Sequence, residues 1–193
     1  MRDIILELYQ RPQTIFTFKE ISLMFKDLSY QSLKDRLSYA VRAKKILRLR
    51  KGVYAKMDFN FYELANKLYT PSYISLETVL KKEGIIFQEY ETIFVVSYLT
   101  RKIAINQRSI FYRKVKNEIL LEKEGVIEEN NYFIAIKERA FLDALFLYKN
   151  YHFDNLQPLN WEKIHRLKKI YQSRALEKRV KEYYQIYQRE YAQ

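Results

Sequence analysis

Residues 17–56 read TFKEISLMFKDLSYQSLKDRLSYAVRAKKILRLRKGVYAK, and few backbone paths satisfy the local preferences written into them. Thr17 followed three positions on by Glu20 is a capping box: the hydroxyl takes an orphan amide of the first helical turn and the carboxylate reaches back. Ile21, Met24 and Phe25 recur behind it at helical spacing. Lys26-Asp27-Leu28 is a turn, and Ser29 stands as the N-cap of a second helix predicted to reach about residue 44. On that helix Leu33, Leu37, Ala40 and Val41 share one stripe, which must pack inward. Stepping roughly 100° per residue puts Gln31, Ser32, Asp35, Ser38, Tyr39 and Arg42 on the other side.

A hairpin follows at once. Ile46, Leu47 and Leu49 are apolar, and Arg48 and Arg50 alternate with them. Lys51-Gly52 supplies a tight turn in which Gly52 is free to take positive φ, and Val53-Tyr54-Ala55 returns as the second strand. Residues 42–51 hold six cations (Arg42, Lys44, Lys45, Arg48, Arg50 and Lys51) and no acid. A solvated basic face on a small helical core would show the same charge run. Here the capping box, the serine cap, the amphipathic helix and the glycine hairpin agree in order and spacing. The expectation is a winged helix-turn-helix over residues 1–60 that docks on duplex DNA. Gln31, Ser32, Asp35, Ser38, Tyr39 and Arg42 offer groups that read base edges and hold phosphates. Lys44 and Lys45 extend that surface, and Arg48, Arg50 and Lys51 at the hairpin edge and tip reach a phosphate backbone or minor groove.

The distribution of charge favours the same reading. The 193-residue chain carries a net charge of +12. Residues 1–56 have 13 Lys/Arg against 5 Asp/Glu, and residues 57–193 have 22 against 18. Two-thirds of the excess therefore lies in the first third, as a localised nucleic-acid footprint requires. No cysteine occurs, which excludes disulfide scaffolds, cysteine-ligated zinc fingers and thiol nucleophiles. No apolar run approaches the ~20 residues of a membrane span. The chain opens on an amphipathic helix (Ile4, Ile5, Leu8) rather than a secretory pattern, so a cytoplasmic protein with no membrane partner is expected. The 18 tyrosines suit stacking platforms, but compositional bias is the simpler account.

The first helix is predicted over residues 1–10, ending near Pro12 and completing a three-helix core. Residues 61–68 read as a short helix, Pro71 as a break, and the domain boundary falls within 57–71, giving a second domain over 61–193. There Ser75 is placed to cap a helix over 76–83, with Gly84 as its C′ residue. Residues 91–97, 103–106, 109–115 and 132–136 are rich in strand formers, and 119–121 suggests a further short strand. Gly125 and Asn130-Asn131 mark turns. Residues 137–149 form a strong helix with Ala140, Phe141, Ala144, Leu145 and Tyr148 inward. Helices over 161–170 and 175–191 finish the chain. The fold class is α+β: a winged helix-turn-helix, then an α+β domain with a small, mostly antiparallel sheet and terminal helices.

Little in the second domain suggests chemistry. The chain lacks GxxxxGK[ST] and GxGxxG, and no HExxH joins its two histidines, His152 and His165, to carboxylates. Glu138 and Asp143 lie five apart on one helix and do not share a face; with Arg139 adjacent, a helix-packing ion pair accounts for them. No cofactor, metal or catalytic residue is expected, and the chain reads as a non-enzyme. Leu176, Val180, Tyr183, Tyr184, Tyr187 and Tyr191 run along the last helix as a core stripe, whose outward tyrosines could also meet a partner.

The ordered series RLRKGVYA (48–55), PSYISLETVLKKEGII (71–86), VVSYLTRK (95–102), IFYRKV (110–115) and AIKERAFLDALFLY (135–148) resembles the AbiEi-type antitoxins of bacterial abortive-infection, type IV toxin–antitoxin modules. The resemblance covers most of residues 14–150. Cooperative self-association on DNA is a separate expectation; the resemblance implies an N-terminal winged helix that represses its own operon at inverted promoter repeats. It also implies a C-terminal domain that supports this binding and antagonises a nucleotidyltransferase-like toxin from the neighbouring gene, by direct contact or by reversing its effect. The DNA-binding role then falls on the helix after Ser29 and on Arg48, Arg50 and Lys51. Two other readings stay open: a stand-alone transcriptional regulator, and a nucleic-acid-modifying enzyme that a winged helix delivers to its substrate.

Overall fold

The computed structural model describes residues 3–191. The chain separates into two compact units, Met1–Leu68 and Tyr69–Gln193.

In the first unit α1 (Ile4–Gln10) starts where the Asp3 carboxylate accepts from the amides of Ile5 and Leu6. The expected helix from residue 1 is thus set back to Ile4, and residues 1 and 2 lie outside the described residues. The strand β1 (Ile15–Thr17) runs directly into α2 (Phe18–Met24) through the capping box: Thr17 Oγ accepts from the Glu20 amide, and Glu20 accepts from the Thr17 amide at 2.7 Å. Ser29 caps α3 (Tyr30–Arg42), accepting from the Ser32 amide at 3.2 Å. This helix stops short of residue 44 because Lys44 turns left-handed (φ 54°) and the Lys45 amide bonds back to Ala40. The hairpin β2 (Leu47–Arg50) and β3 (Val53–Ala55) pivots on Gly52, whose φ of 76° strains a residue with a Cβ but not glycine. Register slips between Arg48 and Arg50, leaving Leu49 bulged.

These strands form an antiparallel sheet in the order β1-β3-β2. Ile4, Leu8, Ile21, Phe25, Leu33, Leu37, Ala40, Ile46 and Tyr54 close one core between the helices and the sheet. The helix α4 (Phe61–Leu68) belongs to this unit through a buried carboxylate. Glu63 accepts from the amides of Thr14 (2.8 Å) and Ile15 (3.1 Å) and from the Thr14 hydroxyl (2.7 Å). These bonds satisfy groups at the edge of β1 that would otherwise be orphaned.

The second unit is built on one six-stranded sheet, with β4 (Ser72–Ile74), β5 (Thr92–Ser97), β6 (Arg101–Ile105), β7 (Arg108–Lys114), β8 (Val126–Glu129) and β9 (Tyr132–Ala135) in the order β6-β7-β5-β4-β9-β8. The pairs β4/β5, β6/β7 and β8/β9 are antiparallel, whereas β5/β7 and β4/β9 are parallel. The helix α5 (Glu77–Lys82) follows β4, and α6 (Asn117–Leu121) follows β7. The central α7 (Lys137–Leu147) is buried from Glu138 to Leu145, packed against α5, α8 (Trp161–Leu167) and α9 (Arg174–Tyr191). A 3₁₀ turn at Lys168–Tyr171 joins α8 to α9.

Three expectations fail here. Residues 119–121 are helical, because Ile119 and Leu120 are buried side by side rather than alternately and their amides bond back to Lys116. Ser75 does not cap α5. Its hydroxyl donates to Asp143 at 2.7 Å, and Leu76 takes the N-cap position at φ 56°. The helix α7 also ends at Leu147, before residue 149, where Tyr148 turns extended.

Candidate nucleic-acid interface

The exposed surface of the first unit is assembled around Phe18. Its amide donates to the Gly52 carbonyl at 2.8 Å, fixing the start of α2 to the hairpin turn. Its ring lies 5.0 Å from that of Tyr30, the first residue of α3. Phe18 therefore brings the hairpin tip and the N-terminal end of α3 together. Arg48 faces Tyr54 across the hairpin. Burial pushes the Tyr54 phenol up, Arg48 opposes that, and Tyr30 adds to it, so the three groups share one neighbourhood.

The expected DNA-facing residues fall into two groups. At the N-terminal end of α3, Gln31 and Asp35 are exposed and bonded to each other, Gln31 Nε2 donating to Asp35 Oδ1 at 2.9 Å. Ser32 is half-buried and its amide is engaged by the Ser29 cap. Arg48, Arg50 and Lys51 are all exposed on the hairpin. At the other end lie exposed Arg42, Lys44 and Lys45, about 15–20 Å away along the axis at 1.5 Å per residue. The Lys45 carbonyl accepts from the Tyr9 hydroxyl at 3.0 Å, tying this end to α1. Ser38 donates to the Lys34 carbonyl at 2.7 Å and so keeps only acceptor capacity. Tyr39 is 63% exposed and, with Asp35, Arg36 and Lys45, lines a groove against Asp3, Ile4 and Ile5 of α1.

Tyr30 is absent from the expected set, yet it is 67% exposed beside the hairpin. Its place on the helical wheel points inward. It stays open as the first residue of α3, with the ring of Phe18 from α2 as its aromatic neighbour.

The second unit holds two buried polar clusters. Arg139 is fully buried, donating to the carbonyls of Glu124 (2.8 Å) and Ile119 (2.7 Å) and to the Tyr73 hydroxyl (3.1 Å). Its Nε lies 3.6 Å from Asp143 Oδ1, close enough for charge attraction but not for a hydrogen bond. Asp143 accepts from Ser75, Tyr171 (2.7 Å) and Tyr73 (3.2 Å). Burial pushes this carboxyl up, and Arg139 and the three hydroxyls pull against it. Every charged member is sealed from solvent, so the network serves the fold.

The other cluster centres on Glu77, which is 5% exposed and whose Oε2 has no hydrogen-bond partner among the described residues. Burial pushes its carboxyl up, tempered by the Tyr148 hydroxyl and Arg113. Arg113 lies 4.7 Å over the Tyr148 ring, which stacks on Tyr151.

His152 is exposed near Asp154, and His165 packs by Trp161 and Tyr184. Among the described residues no group of three or more His, Cys, Asp or Glu is placed to hold a metal ion. Among them also, no helix is long and apolar enough to cross a membrane. Along α9, Leu176 and Val180 are buried, Tyr183 packs on Phe141 and Phe153, and Tyr184 and Tyr187 pack on Trp161. Much of the tyrosine ladder is thus committed inward.

No protein-family model matches this chain, and a search of curated proteins finds no significant match to it.

Proposed function

We propose that the first unit is a winged helix-turn-helix that binds duplex DNA, with α3 in the major groove and the hairpin on the phosphate backbone. The observation that carries this is the Phe18 bridge. It sets the N-terminal end of α3, where side chains reach base edges first, beside a hairpin tip bearing exposed Arg48, Arg50 and Lys51. A solvated basic face does not require such a join between a helix end and a hairpin turn.

The ordered sequence motifs extend the proposal: the protein is an autorepressor and antitoxin of a type IV module, acting at inverted promoter repeats and against a nucleotidyltransferase-like toxin. The DNA-binding part rests on geometry, and the antitoxin part rests on those motifs alone.

Two experiments separate them. Gel-shift titration of the full-length protein on its own promoter fragment tests DNA binding; equal affinity for promoter and unrelated duplex would defeat the repressor reading. Co-expression with the flanking gene tests the second part. Growth rescue is expected. Promoter binding without rescue would leave a stand-alone regulator.

A further inference from the structure

Gln31 and Asp35 stand one turn apart on the exposed face of α3, joined by the Nε2–Oδ1 bond of 2.9 Å. A carboxylate oxygen only accepts, so it is the amide nitrogen of Gln31 that must face Asp35, and the carbonyl oxygen Oε1 is turned away. An amide carries two N–H hydrogens. With one held by Asp35, the other N–H and Oε1 remain as a donor and an acceptor side by side. In the major groove adenine offers N7 as an acceptor and N6 as a donor, which that edge complements. Guanine offers two acceptors, N7 and O6, and complements it at one point only. Asp35 keeps a second oxygen, Oδ2, which accepts and cannot donate. It suits the amino groups of cytosine N4 or adenine N6 and is repelled by the acceptor edge of guanine.

We propose that Gln31, held by Asp35, reads an adenine in the major groove, and that Asp35 selects an amino-bearing base, cytosine or adenine, at the adjacent step and rejects guanine there. This rests on the reading of α3 as the helix that enters the groove. The hold matters because a free glutamine on a helix surface must be ordered when it binds, and Asp35 has ordered it beforehand. A bond that merely supports the helix surface, as i,i+4 pairs do, would leave base choice untouched.

The test is selection from a pool of randomised duplexes by the full-length protein, its Gln31→Ala variant and its Asp35→Ala variant, at one salt concentration, with sequencing of the retained DNA. Circular dichroism of each variant checks that the helices are intact; both positions are exposed. The wild type should enrich adenine at one position of the half-site. Gln31→Ala should lose that enrichment, with affinity for the wild-type site down about 5- to 150-fold. Asp35→Ala should weaken the adenine preference and admit guanine at the next step. An adenine preference that survives in Gln31→Ala overturns the proposal while leaving DNA binding in place. So does a wild-type pool enriched for guanine at either step. Failure of the wild type to retain any duplex overturns the underlying reading together with the proposal.

Discussion

Among the described residues Arg139 is the largest side chain sealed from solvent; Asp143 stands one turn along the same helix, while its other partners, Tyr73, Ile119 and Glu124, lie 15 to 66 positions away. Removing a partner of a buried charge leaves that charge uncompensated, at about 3–5 kcal/mol. Asp143→Ala should lose that much in urea unfolding. Asp143→Asn, whose one carbonyl oxygen can still accept from Tyr171 but not from Ser75 as well, should lose less. Glu77 poses the opposite case. Its carboxyl is raised in the folded state, so its favourable contribution is complete below the unfolded value of 4.5 and is lost as pH rises through the folded value. Glu77→Gln should therefore stabilise the protein at pH 7, by on the order of 1 kcal/mol, since burial disfavours the charged carboxylate and the amide carries no charge. The gain should shrink toward pH 4.5, which melting curves across that range would register. A loss at pH 7 would mean that Arg113 and Tyr148 hold the carboxylate more firmly than burial disfavours it. The sequence placed Arg139 and Asp143 on one helix and read a packing ion pair there. Their partners Tyr73 and Ser75 were out of reach, since a hydrogen bond between residues 66 to 70 positions apart leaves no periodic trace.

Elements held by their own neighbours were legible, as were the runs rich in strand formers that became β5, β6, β7 and β9; some of the shortest strands made by pairing were not. The Thr17–Glu20 box, the Ser29 cap and the Gly52 turn are each closed within a few residues, and each stands where the pattern put it. The strands β1, β4 and β8 have three or four residues each, too few for alternation to show, and they exist because β3, β5 and β9 pair with them. Ser75 has the right chemistry for a cap, but Asp143 takes its hydroxyl. For the candidate interface, sequence named exposed residues at both ends of α3 but could not show Phe18 joining one end to the hairpin, nor Tyr30 left open beside it. Two predictions belong to the hairpin. Gly52→Ala forces a Cβ into a left-handed turn at φ 76° and should cost about 1 kcal/mol in thermal or urea unfolding. Replacing Arg48, Arg50 and Lys51 together by alanine should weaken binding to all duplexes alike. It should lower the slope of log K against log salt by about 0.9 for each phosphate that is no longer neutralised. An unchanged slope would remove the hairpin from the interface.

At the scale of the whole molecule the question is which piece does what. A fragment ending at residue 68 keeps α4 and its Glu63 bonds; one ending at residue 60 strands the Thr14 and Ile15 amides. The shorter fragment should be less stable by about 2 kcal/mol or more, as the loss of hydrogen bonds to a charged carboxylate implies. The longer one should bind DNA, but more weakly than full-length protein on paired half-sites if copies cooperate there. On the proposed antitoxin role, growth rescue against the flanking gene's product should reside in residues 69–193. Full rescue by residues 1–68 alone would mean that protection comes from repression.

The Arg139 network also sets an order in time. The first unit has all its parts once Leu68 has left the ribosome. The second cannot seat Asp143 fully until Tyr171 arrives, more than a hundred residues later. A chain in the course of synthesis therefore carries a finished first unit ahead of an unfinished second, since units tend to fold in the order they emerge. If the proposed roles hold, a chain that stalls between these two points could still occupy a promoter while lacking the half that answers the toxin.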